Sequence, residues 1–151
     1  MATSPDSNTV RTFGSAAKQV ITPPLGYPMG NWGLRQGVAR GIHRDIHVRA
    51  VVFERDGFPL AVISLEIAGL TSETVQAIKA RIFQVTGIPV ANILLNFTHN
   101  HTSPDTIVSL PEEWITWTTW LADQVAGCVF GAQNRAVPVQ VGADLGSFDG
   151  W

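Results

Sequence analysis

Apolar positions change their period several times along this chain, and each change marks an element. Residues 48–54 and 60–65 are two apolar, β-branched runs on either side of Asp56-Gly57. A run, an Asp-Gly turn and a second run predict an antiparallel hairpin. From Ser72 onward Val75, Ile78, Ile82 and Val85 recur at helical spacing until Gly87 and Pro89 end the pattern. This predicts an amphipathic helix packed on the sheet. Residues 91–98 are short, mostly apolar and bounded by a turn, which predicts a buried central strand. Pro111-Glu112-Glu113 places a proline and two acids where the fixed φ of proline and the positive helix terminus favour them. A second helix is predicted there, with Trp114, Trp117, Leu121, Val125 and Cys128 as its apolar stripe. Shorter strands are predicted at residues 17–21 and 137–141. The order of these elements predicts an α/β fold: a mixed sheet containing an antiparallel hairpin, with packed helices.

Length and composition narrow the picture. A chain of 151 residues buries about 68–70% of its unfolded surface, enough for one core. We therefore expect a disordered polar tail over residues 1–12 and a single α/β domain over residues 13–151. The net charge is −2, and no basic run is interleaved with aromatics, so nucleic acid is not an expected partner. No apolar stretch reaches the roughly 18 residues of a spanning helix, and residues 1–8 lack the apolar core of a secretory signal. No transmembrane segment is expected; compartment is left open, with the cytoplasm as default. Cys128 is the single cysteine, which excludes an internal disulfide; inside a helix it reads as a buried thiol rather than a nucleophile. Trp114, Trp117 and Trp120 have the ring area to line an acyl-chain groove, yet their spacing is that of a buried helix face, and core packing is the stronger reading. Residues 22–41 hold three of the nine prolines and five of the fourteen glycines. So long an irregular stretch is either a functional loop or a plain surface connection.

Candidate chemistry concentrates in Thr98-His99-Asn100-His101-Thr102-Ser103-Pro104. Residues i and i+2 at the end of a strand share a face and lie roughly 6.6 Å apart, so two imidazoles can address one cavity. Neutral imidazole is a zinc ligand and also an acid, a base or a hydrogen-bond donor. Two strand-end histidines with no such role are the bland alternative. A catalytic zinc takes three protein ligands and one open position, and the chain offers no third ligand. His43 and His47 are four apart in a loop-to-strand passage, where that spacing does not bring them together. Glu66 ends a strand, either to orient a ligand or as an exposed acid.

An ordered set of short motifs runs from Ile21-Thr22-Pro23-Pro24-Leu25-Gly26 through Pro28-Met29-Gly30, Gly41-Ile42-His43, Arg49-Ala50, Ala61-Val62-Ile63-Ser64-Leu65-Glu66 and Thr86-Gly87-Ile88-Pro89 to the histidine segment. In this order and spacing, over residues 13–145, the chain resembles the N-terminal part of the neutral/alkaline, non-lysosomal ceramidase family. The departures are specific: Asn100 stands where that family usually has Thr, the Gly before Pro104 is absent, Glu66 replaces the common Asp, and Asn31-Trp32 falls near a Gly-Tyr. The resemblance implies a larger catalytic domain, of which this chain is an N-terminal fragment or truncated relative. It implies zinc as cofactor, His99 as a metal ligand, His101 as the residue facing the substrate carbonyl, Gly30 in substrate binding, and further ligands from missing downstream sequence. The implied reaction is cleavage of a ceramide-like lipid amide to a sphingoid base and a fatty acid. By the residues alone, both histidines could equally be ligands. A non-catalytic remnant and a metal-dependent hydrolase of other small amides or esters are the competing functions.

Overall fold

The computed structural model describes residues 11–30, 35, 37–106 and 112–147, with the side chains of 112–116 excepted. Five strands, β1 (Thr12–Val20), β2 (His47–Arg55), β3 (Phe58–Leu65), β4 (Ile93–Phe97) and β5 (Val137–Val139), form one sheet in the order β4-β3-β2-β1-β5. Two helices accompany it, α1 (Ser72–Thr86) and α2 (Glu112–Gln133). The fold is α/β with a mixed sheet, as the period changes predict.

The hairpin is the one expected. Asp56 and Gly57 both take positive φ, 54° and 78°, the turn whose twist matches paired antiparallel strands. β2 and β3 then pair from Arg55↔Phe58 to Val48↔Leu65. β1 lies antiparallel on the other side of β2 and is longer than the predicted 17–21, beginning at Thr12. β4 is parallel to β3, Ala61↔Ile93 to Leu65↔Phe97, and α1 makes the crossover that parallel strands need. The Thr71 side chain caps α1 by accepting from the Thr74 amide at 3.3 Å. Gly87 ends the helix in the left-handed region at φ 73°, a conformation that costs glycine nothing.

The core lies on one face of the sheet. Val48, Ala50 and Val52 of β2 and Ala61, Ile63 and Leu65 of β3 are buried with Ile78 and Ile82 of α1 and Leu121, Val125, Cys128 and Val129 of α2. Each Val, Leu or Ile side chain so withdrawn from water contributes about 1.5–3 kcal/mol. Trp117 is also in the core, 5.2 Å from the Tyr27 ring, whereas Trp120 is 39% exposed. The packing role predicted for the stripe therefore holds for Trp117; the Trp114 side chain and Pro111 lie outside the described residues. Cys128 is a buried free thiol, and burial pushes its pKa up. Among the described residues no helix is long and apolar enough to cross a membrane.

One expectation is corrected. The 91–98 run is not a central strand but an edge of the described sheet, shortened to Ile93–Phe97 and entered through a 3-10 turn at Val90–Asn92. Leu94 is 58% exposed. A mostly apolar run does not say which of its faces the rest of the fold covers. Both α1 and α2 sit on the Ile93 face, and among the described residues no helix covers the row Val51, Val62, Leu94 on the other face.

Candidate functional site

Parallel pairing of β3 and β4 brings their C-terminal ends side by side, the place where α/β sheets present ligands. The pairing continues beyond the strands, with the Thr98 amide donating to the Leu65 carbonyl at 3.0 Å and the Asn100 amide to the Ile67 carbonyl at 3.3 Å. The histidine segment is thus laid along the stretch from Glu66 to Gly69.

His99 occupies the left-handed region at φ 59°. A residue with a Cβ is strained there by roughly 1–2 kcal/mol, though histidine tolerates it better than most. The bend turns the His99 and His101 rings toward each other, 4.6 Å between centroids and nearly perpendicular. His99 Nδ1 lies 2.9 Å from the Ala68 carbonyl oxygen. A carbonyl only accepts, so Nδ1 carries a proton, and in the neutral ring Nε2 keeps its lone pair. Metal-binding histidines are commonly oriented by this second contact.

The loop is held by Asn100 and Ser103. Asn100 Oδ1 accepts from the Thr102 amide at 2.8 Å and the Thr102 hydroxyl at 2.7 Å, closing an Asx turn. Its Nδ2 donates to the Glu66 carbonyl at 3.5 Å. Ser103, fully buried, donates to the Asn100 carbonyl at 2.7 Å and accepts from the Ala68 amide at 3.3 Å. Ala68 therefore meets this loop through both its carbonyl and its amide. Arg35 Nη1 donates to the His101 carbonyl at 3.1 Å.

Glu66 is half-buried and places Oε2 3.2 Å from His47 Nδ1 and Oε1 2.6 Å from Arg49; the His47 amide also donates to it at 2.8 Å. Burial alone would raise this carboxyl, but the hydrogen bonds from Arg49 and His47 outweigh it and hold its pKa below the ordinary value. The carboxylate thus orients His47, while Ala68 orients His99. His43 is exposed in the preceding loop and His47 begins β2, so the two stand apart in role. Gly30 is buried, and a Cβ there would fall 2.1 Å from Asp105 Oδ2; close packing against Asp105 requires glycine whatever else binds nearby. Tyr27 in the same region has its pKa pushed up to about 12 by burial and by the nearby Asp105 charge. Asn31 and Trp32 lie outside the described residues. Among the described residues no three His, Cys, Asp or Glu side chains gather as a metal cage.

The contacts that orient the two histidines are not legible in the sequence. Ala68 acts through its backbone and leaves no residue-type signal; Asn100 stands out only as a departure from the Thr of the family the chain resembles, and Ser103 not at all.

An open cleft of about 950 Å³ adjoins the loop, lined by the irregular segment before β2 and by Glu66, Thr98, Asn100, Thr102 and Pro104.

No family model matches the chain, and no curated protein matches it. Solved structures do. The chain is similar to a ceramidase complexed with C2, at 21% identity and a TM-score of 0.70, over 85% of this chain and 22% of that one. It is likewise similar to neutral ceramidase from Pseudomonas aeruginosa, at 19% identity and a TM-score of 0.68, over 87% of this chain and 23% of that one. At such identity the likeness is one of fold, and the fold is ceramidase-like. The chain spans less than a quarter of the length of either structure.

Proposed function

We propose that this chain carries part of the active site of a zinc-dependent amide hydrolase acting on a ceramide-like lipid amide, with the remaining metal ligands supplied by sequence outside residues 1–151. The observation that carries the reading is His99, held by Ala68 with Nε2 available beside a second imidazole, at a strand end of a ceramidase-like fold. In this reading His99 holds the metal through Nε2. Zinc, when bound, would polarise the amide carbonyl and bring the pKa of water toward about 7. His101 faces the carbonyl and donates a hydrogen bond as negative charge develops on its oxygen. Asn100, Ser103 and Arg35 keep the loop in place, so that little reorganisation remains at the moment of reaction. Gly30 gives the substrate close backbone approach.

The assignment is tested in a protein that joins this chain to the downstream sequence the reading requires, using a short-chain N-acyl sphingoid base. His99→Ala should lose both zinc and activity, because removing a ligand opens the site. His101→Ala should keep zinc and lose roughly 10²–10³ in kcat, as loss of one oxyanion donor does. Equal zinc loss in both would make them a ligand pair, and full activity in both would end the hydrolase reading. A non-catalytic module is the competing reading. For that reading no hydrolysis follows even when zinc is saturating.

A further inference from the structure

The backbone carbonyls from Leu65 to Gly69 each accept from the segment 98–106. Their donors, in order, are the Thr98 amide at 3.0 Å, Asn100 Nδ2 at 3.5 Å, the Asn100 amide at 3.3 Å, His99 Nδ1 at 2.9 Å and the Thr106 hydroxyl. Of the Ser, Thr, Asn, Gln and charged residues described, only Ser103 and Thr106 are buried, at 0% and 5% exposure. A valine would fill the space of Thr106 without withdrawing a hydroxyl from water. What the hydroxyl adds is its bond to Gly69.

Both buried hydroxyls act on the same short piece of backbone. Ser103 accepts from the Ala68 amide at 3.3 Å, and Thr106 donates to the Gly69 carbonyl. Between these two anchors lies the peptide joining Ala68 to Gly69, whose carbonyl holds His99 Nδ1. Glycine turns about φ and ψ more freely than any other residue, so Gly69 is where that peptide would swing. Thr106 opposes the swing by holding the next carbonyl. The His99 residue itself is exposed and sits at φ 59°, a region that local preference does not favour; the aim of its ring depends on the backbone to which it is tied.

We infer that Thr106 is a positioning residue of the histidine site: with Ser103 it fixes the Ala68–Gly69 peptide, and through that carbonyl the orientation of the His99 ring and of its Nε2. The inference rests on the amide-hydrolase reading and deepens it, since groups that orient a metal-binding histidine change metal affinity by roughly 10–100-fold. Thr106 acts one step further out, through Gly69 and Ala68, and its effect is correspondingly smaller.

The test is long-range ¹H–¹⁵N correlation spectroscopy of the full 151-residue chain, labelled with ¹⁵N in histidine, without metal or substrate. T106V replaces the hydroxyl by a methyl group of similar size, T106S keeps the hydroxyl, and I78V loosens the buried face of α1 without removing any of these bonds. In T106V the fraction of neutral His99 rings lacking the Nδ1–Ala68 bond should rise about fivefold, the factor set by one net hydrogen bond, read as the two ring-nitrogen shifts moving toward each other. T106S should match the parent, and I78V should lower the unfolding midpoint while leaving the His99 shifts in place. Should T106V fail to fold, T106A gives the same reading, because it removes the donor without adding bulk. Unmoved His99 shifts in the variant that lacks the donor, or an equal movement in T106S or I78V, would overturn the inference. In the longer protein T106V should weaken zinc binding by about the same factor and T106S should not; unchanged zinc affinity in T106V, where His99→Ala abolishes it, would overturn the inference as well. The two readings fail separately. Zinc bound without amide hydrolysis removes the enzyme and leaves Thr106 its role, whereas hydrolysis with His99 shifts that T106V does not move does the reverse.

Discussion

His99 Nδ1 and the Ala68 carbonyl oxygen stand 2.9 Å apart, joining the end of β4 to the stretch that leaves β3. Ala68 also donates its amide to Ser103 at 3.3 Å, so one residue of the neighbouring strand's exit fixes both the ring and the loop that carries it. The positive φ of His99 is kept by these contacts rather than by local preference, since an isolated loop would relax out of the left-handed region.

The first prediction concerns the proton on that ring. Long-range ¹H–¹⁵N correlation spectra of the neutral ring should show His99 as the Nδ1-protonated tautomer, with Nε2 as the unprotonated nitrogen. An Nε2-protonated ring would break the Ala68 contact and with it the argument for a metal-ready nitrogen.

A second prediction follows from Glu66. Its carboxyl is held below its ordinary pKa by Arg49 and His47 despite its burial, so the ionised form is favoured in the folded state. That contribution is complete above the unfolded-state value of about 4.3 and is lost as pH falls through the folded-state value. Glu66→Gln should therefore cost on the order of 1 kcal/mol at neutral pH, with the gap to the parent closing in denaturant titrations below about pH 4. A gap that stays constant with pH would mean that the charge of Glu66 is immaterial.

What could be read from the chain depended on whether an element's cause was local. The Asp56-Gly57 turn, the Thr71 cap and the Gly87 stop act within a few residues, and the hairpin and α1 were legible to within a residue or two. The fate of residues 91–98 was not, because a mostly apolar run does not say which of its faces the rest of the fold covers or which strands arrive beside it; Leu94 shows the difference. In the site, His99 and His101 announced themselves by side-chain chemistry and spacing. Their orientation came from Ala68, whose contribution is purely main-chain, and from the register of β3 against β4, which no local pattern encodes. The link from Glu66 to His47 spans 19 positions and was equally silent, and so was the approach of Asp105 to Gly30.

That approach yields the third prediction. Gly30→Ala puts a Cβ against the Asp105 carboxylate, 2.1 Å from Oδ2 and 2.9 Å from Asp105 Cβ, too near for the side chain to stay. Asp105 is anchored by its amide, which donates to the Pro28 carbonyl at 2.9 Å, so the backbone cannot simply withdraw. Overpacking of this sort costs about 1–3 kcal/mol. In thermal unfolding G30A should lose that much and G30A/D105A should recover part of it, a coupling expected of residues in contact. Additive losses would place the cause elsewhere.

The last prediction addresses the residue between the histidines. Asn100 Oδ1 serves both the amide and the hydroxyl of Thr102, while its Nδ2 reaches the Glu66 carbonyl. Asn100→Asp keeps the acceptor and hence the Asx turn, losing only the longer 3.5 Å contact. Asn100→Ala removes the turn's acceptor altogether, a loss of about 1 kcal/mol for each net hydrogen bond, moderated by water at the exposed Thr102. Amide hydrogen exchange at Thr102 should therefore accelerate roughly tenfold in N100A, about 1.4 kcal/mol of local opening, and change little in N100D. Because the turn sets where His101 stands relative to His99, N100A should also weaken the mutual ring-current shifts of the two imidazoles while leaving the Nδ1 proton of His99 in place, since Ala68 holds that ring independently. If N100A left both exchange and ring shifts untouched, the turn would owe its shape to Ser103 and the backbone ladder, and Asn100 would have no part in presenting the histidines.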